Sequence, residues 1–255
     1  MTIEGLLVER ESGVLRLTFN RPERLNSLSA EILHATADAV DGAATDGTRV
    51  ILLTGAGRAF SSGADVGADG APPGLDTLDA ANRLALSITR SPIIVVAAVN
   101  GIAAGVGCSI ALAADLAIAR QSAAFMLAFT KIGLMPDGGA SLLVTAAVGR
   151  ARAARMALLA EKIAAPTALE WGLIAGVVAD DDFEAEVGRI AAQLAAGPPL
   201  AYAATKRVLN DAALALLADT LQAERDGQGP LLASADFAEG MAAFQQKRQA
   251  VFDGS

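Results

Sequence analysis

Histidine and cysteine are nearly absent from this chain of 255 residues, which has one of each, His34 and Cys108. A lone cysteine forms no internal disulfide, and one thiol with one imidazole does not complete a zinc site. A metal-free protein of a reducing, cytoplasmic setting is expected. Basic charge is also in deficit: 20 Lys and Arg face 28 Asp and Glu, a formal net charge of −8. No basic stripe supplies the electrostatic footprint of nucleic-acid binding, so DNA and RNA are not expected partners. The first residues, Met1 to Arg10, carry Glu4 early and lack the basic-then-apolar order of a secretion signal. Charge is missing altogether from Ser91 to Ala114, long enough to span a bilayer. Pro92, Asn100, Gly101, Gly105, Gly107 and Ser109 interrupt that stretch, and its Ala and Gly contribute little insertion energy, so strand, turn and helix are expected instead of a membrane span.

What is present is apolar and alanine-rich: 53% hydrophobic against 19% charged residues, enough for one large domain or a main domain with an appendage. Leu6 to Arg10 and Val14 to Phe19 flank Glu11-Ser12-Gly13 as a β-hairpin, the second arm alternating Leu15, Leu17 and Phe19 with Arg16 and Thr18. Ser29 reads as the N-cap of a helix reaching about Ala44. Val50 to Thr54 reads as a buried strand. A polar stretch with Asp65, Asp69, Asp76 and Asp79 leads into a helix from about Leu78 to Thr89, and Ile93 to Val99 is a second apolar strand. A helix from Val106 to about Ala113 and a strand from Leu116 to Ala119 follow. Gly138-Gly139 opens a helix to Val148, Ala151 to Ala160 forms another, and Trp171 sits in a short helical turn before Val177-Val178. The rest is helical, starting from an Asp181…Glu184 capping-box pattern. Alternating strands and helices imply parallel pairing, and the helical end implies a packing or assembly element.

Gly55-Ala56-Gly57 after a strand invites a dinucleotide site, but Phe60 stands where a third glycine must allow helix and strand to touch. Gly107-Cys108-Ser109-Ile110-Ala111 approaches a nucleophile elbow, with Ala111 in place of its second glycine and no histidine nearby. His34 is expected at the surface or boundary of the first helix, and Cys108 as a packed thiol. Two glycine turns remain: Phe60-Ser61-Ser62-Gly63-Ala64-Asp65 and Asn100-Gly101-Ile102-Ala103-Ala104-Gly105-Val106-Gly107. If their strands are neighbours, the N–H groups of Ala64 and Val106 converge on one anionic oxygen, the second at a helix N-terminus.

These turns, with Phe19-Asn20-Arg21-Pro22, Leu25-Asn26-Ser27-Leu28, the Lys131 to Gly139 segment and the tail from Glu239 to Arg248, resemble the crotonase superfamily, the enoyl-CoA hydratase/isomerase family, over nearly the whole chain. The resemblance implies an α/β fold of the ClpP/crotonase type: a spiral of ββα units over residues 1–195, holding the CoA and oxyanion site, and a helical trimerisation region over residues 196–255. It implies that Ala64 and Val106 hold the thioester oxygen of an acyl-CoA substrate. Arg24, Leu25, Ser62, Asp65 and Val66, with Phe244 and Lys247, often from a neighbouring subunit, would contact coenzyme A, which is part of the substrate; no prosthetic group is implied. Trimers or dimers of trimers are implied as the assembly. The two glutamates that activate water in hydratases are matched by Ser109 and Phe129, neither of which acts as a base at neutral pH. Asp137 matches the single acid/base of isomerase-like members. By itself its place before Gly138-Gly139 reads as a helix N-cap; in the family context it reads as a proton shuttle, with a pKa raised by burial beside Phe129 and Met135. Val106 replaces a more usual glycine or alanine, so its side chain must turn away from the thioester. A hydratase using Asp137 alone and a non-catalytic acyl-CoA-binding homologue remain the alternatives to double-bond isomerisation.

Overall fold

The computed structural model describes residues 3–66 and 73–255. Met1, Thr2 and residues 67–72, Asp69 of the acidic stretch among them, lie outside the described residues. The N-terminal hairpin pairs β1 (Leu6–Glu11) with β2 (Val14–Phe19) through Ser12 and Gly13, both at positive φ (52° and 80°), which suits a tight turn between right-twisted strands. Leu15, Leu17 and Phe19 point into the core. The helix α1 (Ala30–Gly42) starts as expected at Ser29, whose Oγ accepts the Ile32 N–H at 3.3 Å.

From β3 (Val50–Gly55) onward one unit recurs. A long strand ends at a sharp corner, a short strand departs from it, and a helix follows. The first unit is β3, β4 (Ala59–Ser61) and α2 (Leu75–Arg90); the second is β5 (Ile94–Val99), β6 (Ile102–Ala104) and α3 (Val106–Ala113). The third is β7 (Leu116–Arg120), β8 (Ala124–Met126) and α4 (Ala140–Leu159), after which come β9 (Ile163–Ala164), α5 (Ala165–Trp171) and β10 (Gly176–Val178). The long strands form a six-stranded sheet, β1-β2-β3-β5-β7-β10, parallel throughout except at the hairpin. The short strands form a second sheet, β4-β6-β8-β9. This is the expected spiral of ββα units.

The corners are tight because polar side chains tie them. Asn100 Oδ1 accepts the Gly55 N–H (3.1 Å), and its Nδ2 donates to Gly57 O (2.9 Å) and Ala59 O (3.1 Å). Asn26, in a left-handed conformation at φ 57°, donates to Ala56 O and Ala59 O from the other side (2.9 and 2.7 Å). A Cβ at Gly101 would collide with Arg58 O, so the second corner needs glycine.

Four helices complete the chain: α6 (Phe183–Ala196), α7 (Pro199–Ala213), α8 (Leu217–Leu232) and α9 (Ala235–Gln245). The first covers the outer face of the large sheet, packing Phe183, Val187 and Ala191 against Val50, Leu52, Val96 and Ile118. The expected capping box is absent: residues 180–182 form a 3-10 turn, α6 opens at Phe183, and Asp182 caps it without a side-chain bond. Asp180 is instead engaged across the sheet edge, accepting the Ser122 N–H at 3.0 Å. The start of α2 at Leu75, before Leu78, places Asp76 in the first turn, where the helix dipole favours it. The two helices expected from Gly139 to Ala160 are halves of α4, broken at Gly149 (φ 75°). Among the described residues no helix is long and apolar enough to cross a membrane; Ser91 to Ala114 folds as β5, β6 and α3.

The helical end is anchored in the core by Lys206 of α7, 4% exposed. Its Nζ lies 2.8 Å from Asp115 Oδ2 and donates to Ile88 O (2.8 Å) and Ile93 O (3.0 Å), so all three protons are engaged. Replacing Lys206 by Met leaves the Asp115 carboxylate buried without a cation, which is expected to destabilise the fold by about 3–5 kcal/mol in urea unfolding. Adding Asp115→Asn should recover part of that loss.

Candidate active site

The two glycine turns lie side by side, as the pairing of β4 with β6 requires: Ala59 is opposite Ile102 and Ser61 opposite Ala103. The chain leaves β4 through Gly63 (φ 99°) and β6 through Gly105 (φ 52°). These glycines interlock. A Cβ on Gly63 would lie 2.9 Å from Ala104 O, and one on Gly107 2.7 Å from Ser61 Cβ. The residues after the two contacting glycines are Ala64 and Val106, so each expected donor directly follows this backbone contact.

The neighbours of Ala64 are fixed by hydrogen bonds. Leu28 N–H donates to Gly63 O (2.9 Å), Asp65 N–H to Leu28 O (3.1 Å), and Gly63 N–H to Ser61 Oγ (3.1 Å). The Ala64 N–H itself has no acceptor among the described residues. The same holds for Val106 N–H at the head of α3, where the first carbonyl, Gly105 O, accepts from Cys108 and Ser109. The buried Val106 side chain lies toward the following loop, its Cγ2 being 3.6 Å from where a Gly138 Cβ would stand. Two preset, unsatisfied N–H groups beside a helix N-terminus can hold a developing negative charge on oxygen.

Asp137 enters this cluster on the loop before α4. Ser109 of α3 is fully buried and donates its hydroxyl to Asp137 O at 2.7 Å; Gly138 packs so closely on Ser109 that a Cβ would come within 3.1 Å of Ser109 Cβ. The N-cap reading of Asp137 does not hold. Gly139 is the cap residue of α4, and the free N–H groups of Gly139 and Ser141 are taken by Glu224 of α8, at 2.8 and 2.9 Å. That leaves the Asp137 carboxyl for other use. Its Oδ2 accepts from Gln228 Nε2 at 2.9 Å, and its Oδ1 accepts from no group among the described residues.

Burial pushes the Asp137 carboxyl up to about 7; the Glu224 charge pushes the same way and the Gln228 bond opposes them. Among the described residues, none of the groups around Asp137 is a second carboxylate free to activate water. Ser109 is committed to a main-chain oxygen, Phe129 is buried at the head of a 3-10 turn, and both Glu224 oxygens accept main-chain N–H groups. Cys108 is buried, its thiol pushed up to about 12, and His34 is exposed. Among the described residues no group of three or more His, Cys, Asp or Glu could hold a metal ion.

Arg24, Leu25, Ser62, Asp65 and Val66 form one rim beside Ala64. Leu25 is left-handed (φ 52°), and Ser62 joins it to the first turn, N–H to Leu25 O (2.9 Å) and Oγ to Arg24 O (3.3 Å). Asp65 Oδ2 is 2.8 Å from Arg21 and 3.6 Å from Arg24. Phe244 and Lys247 stand apart at the end of α9, exposed, with no side-chain hydrogen bond or ion pair among the described residues. Two grooves of about 580 and 600 Å³ flank α2 and contain none of these residues. Glu224 and Gln228 are not readable as site residues in the sequence: they lie in a polar helix far along the chain, and only their four-residue spacing could have paired them.

Residues 9–255 match the family described as enoyl-CoA hydratase/isomerase. Relatives include a Rhodobacter capsulatus protein named "Probable enoyl-CoA hydratase", 46% identical over the full length of both chains. The 1,2-epoxyphenylacetyl-CoA isomerase of Escherichia coli is 39% identical over 99% of each chain. The crystal structure of an enoyl-CoA hydratase from Mycobacterium avium subsp. paratuberculosis superposes with a TM-score of 0.94 at 51% identity, covering 99% of this chain and 100% of the other.

The Asp137 carboxyl is expected to appear in infrared difference spectra against Asp137→Asn as a group titrating near 7. Its folded value exceeds the unfolded value of about 4, so its stabilising contribution is complete below about 4 and is lost as pH rises through the folded value. Wild type should lose stability relative to Asp137→Asn across that window.

Proposed function

The chain belongs to the enoyl-CoA hydratase/isomerase family, and on that premise we propose that it shifts a carbon–carbon double bond in an enoyl-CoA thioester, with Asp137 as the single acid/base. The thioester oxygen of a 3-enoyl-CoA accepts from Ala64 and Val106 N–H. Asp137 Oδ1 removes a C2 proton, and the charge of the resulting dienolate rests on that oxygen. The protonated Asp137 then delivers its proton to C4, giving the 2-enoyl-CoA and regenerating the carboxylate. Each N–H donor contributes about 3 kcal/mol to lowering such a barrier. A base titrating near 7 is matched to proton exchange at neutral pH.

The observation that supports this reading is the carboxylate of Asp137: among the described residues its Oδ1 is free, and no second acid beside it has an oxygen free to activate water. In the same reading Arg24, Leu25, Ser62, Asp65 and Val66 bind coenzyme A, which arrives as part of the substrate. Phe244 and Lys247 reach it from an adjacent copy in a trimer or dimer of trimers. The exposed Leu200, Val208 and Leu209 of α7 support an assembly role for the helical end.

Hydration is the second reading, favoured by the names of the relatives at 46% and 51% identity, with Asp137 alone activating water. Assays with 3-enoyl-CoA and 2-enoyl-CoA side by side separate the two. Double-bond shift should dominate, rise with pH through about 7 as Asp137 ionises, and fall roughly a thousandfold in Asp137→Asn. Hydration at least as fast as the shift, or acyl-CoA binding with no conversion, would overturn the proposal.

A further inference from the structure

The helix α8 sends two buried side chains, one turn apart, into the loop that carries Asp137. Glu224 and Gln228 are each 1% exposed. All their hydrogen bonds reach residues 135–141. Gln228 Oε1 accepts the Met135 N–H (3.1 Å), while its Nε2 donates to Met135 O (2.9 Å) and Asp137 Oδ2 (2.9 Å). Glu224 accepts from Gly139 and Ser141 N–H. The close approach depends on Gly227, where a Cβ would lie 2.6 Å from Met135 Sδ.

We infer that Gln228 is a positioning residue for proton transfer: by holding Oδ2 it presents Oδ1 of Asp137 as the oxygen that exchanges the substrate proton. The inference rests on Asp137 being the acid/base. The orientation of the Gln228 amide is not free to change. Met135 offers it an N–H on one side and a carbonyl on the other, so a flipped amide would set its oxygen against Met135 O and Asp137 Oδ2 and lose all three bonds. Gln228 can therefore only donate to Asp137, and a donated bond favours the ionised carboxyl. Opposing it is Glu224, the titratable group that acts on Asp137 from α8. The α4 N-terminus holds Glu224 through two N–H bonds at the end of the dipole that favours its charge. From α3 comes only Ser109, uncharged and bound to the Asp137 main chain. Gln228 thus offsets both burial and Glu224.

Gln228→Met keeps the volume and removes the donor. The Asp137 carboxyl, followed by infrared spectroscopy, and the pH–rate profile should both move up by about one to two units. KM should change little, and kcat at the high-pH plateau should fall. If Gln228→Met does not fold, Gln228→Glu retains the shape and should raise both midpoints further by adding like charge. A folded variant whose kcat falls with both midpoints unmoved would overturn the inference, reducing Gln228 to a loop support. If Asp137→Asn stays active, the acid/base reading fails; the infrared midpoint still reports separately whether Gln228 governs the carboxyl.

Discussion

Backbone atoms of Gly63 and of Ala104-Gly105 touch where the first and second ββα units meet, leaving no room for a Cβ on Gly63, and this contact governs what the rest of the molecule can do. It depends on the parallel pairing of β4 with β6, which shifts register between Ala59 and Ser61, and so on how the corners after β3 and β5 turn. Asn26 and Asn100 tie those corners by converging on Ala59 O from two directions. Such buried amides, engaged on both oxygen and nitrogen, are costly to misplace, so they select one arrangement of the corners. The two N–H groups one residue beyond the glycines are then fixed relative to each other before any ligand arrives. A donor pair that needs no reorganisation gains its effect from that rigidity.

The buried carboxyl of Asp137 is a liability that the helical end of the chain manages. Among the described residues Asp137 has no cation beside it, and burial alone would hold it protonated through neutrality. α8 acts on it through two residues of opposite effect, Glu224 raising and Gln228 lowering its pKa, and the balance lies near 7. Glu224 has a separate task, capping α4, which releases Asp137 from the role that its position before two glycines suggests. Residues 196–255 therefore do more than cover the core: the same region that is anchored through Lys206 also holds the Asp137 carboxyl.

Period and punctuation made the long elements legible. The hairpin, α1, β3, β5, α3 and β7 appear in the sequence because each is long enough to show alternation, a buried apolar run or a cap. The second sheet was not legible, since β4, β6 and β8 have three residues each and fall below the length at which a period can be recognised. Its existence follows from the corners, and so from Asn26 and Asn100, whose partners lie in distant segments. The aspartates at 180–182 are the opposite case: the sequence holds a capping pattern, but in the fold Asp180 accepts the Ser122 N–H across the sheet edge and the helix starts at Phe183 with no side-chain cap. Ala64, Val106 and Asp137 were readable because glycine spacing and family resemblance agree on them; Glu224 and Gln228 were not, because a tertiary contact alone gives them meaning.

Water addition and proton shift make different demands on such a site. Adding water requires one group to take a proton from water and a position to deliver one to carbon, with water admitted between them. Moving a double bond requires one group to visit two carbons in turn, with water kept away from the dienolate. Ser109 and Phe129 supply no further base: the Ser109 hydroxyl is bound to the Asp137 main chain, and Phe129 is a buried apolar ring. A carboxyl near neutrality is also better suited to exchanging the same proton in both directions than a strongly acidic one, because neither protonation state is far from the other in energy. The removal of partner bases and the raised pKa of the remaining carboxylate therefore act together, and both favour one acid/base serving both halves of the reaction.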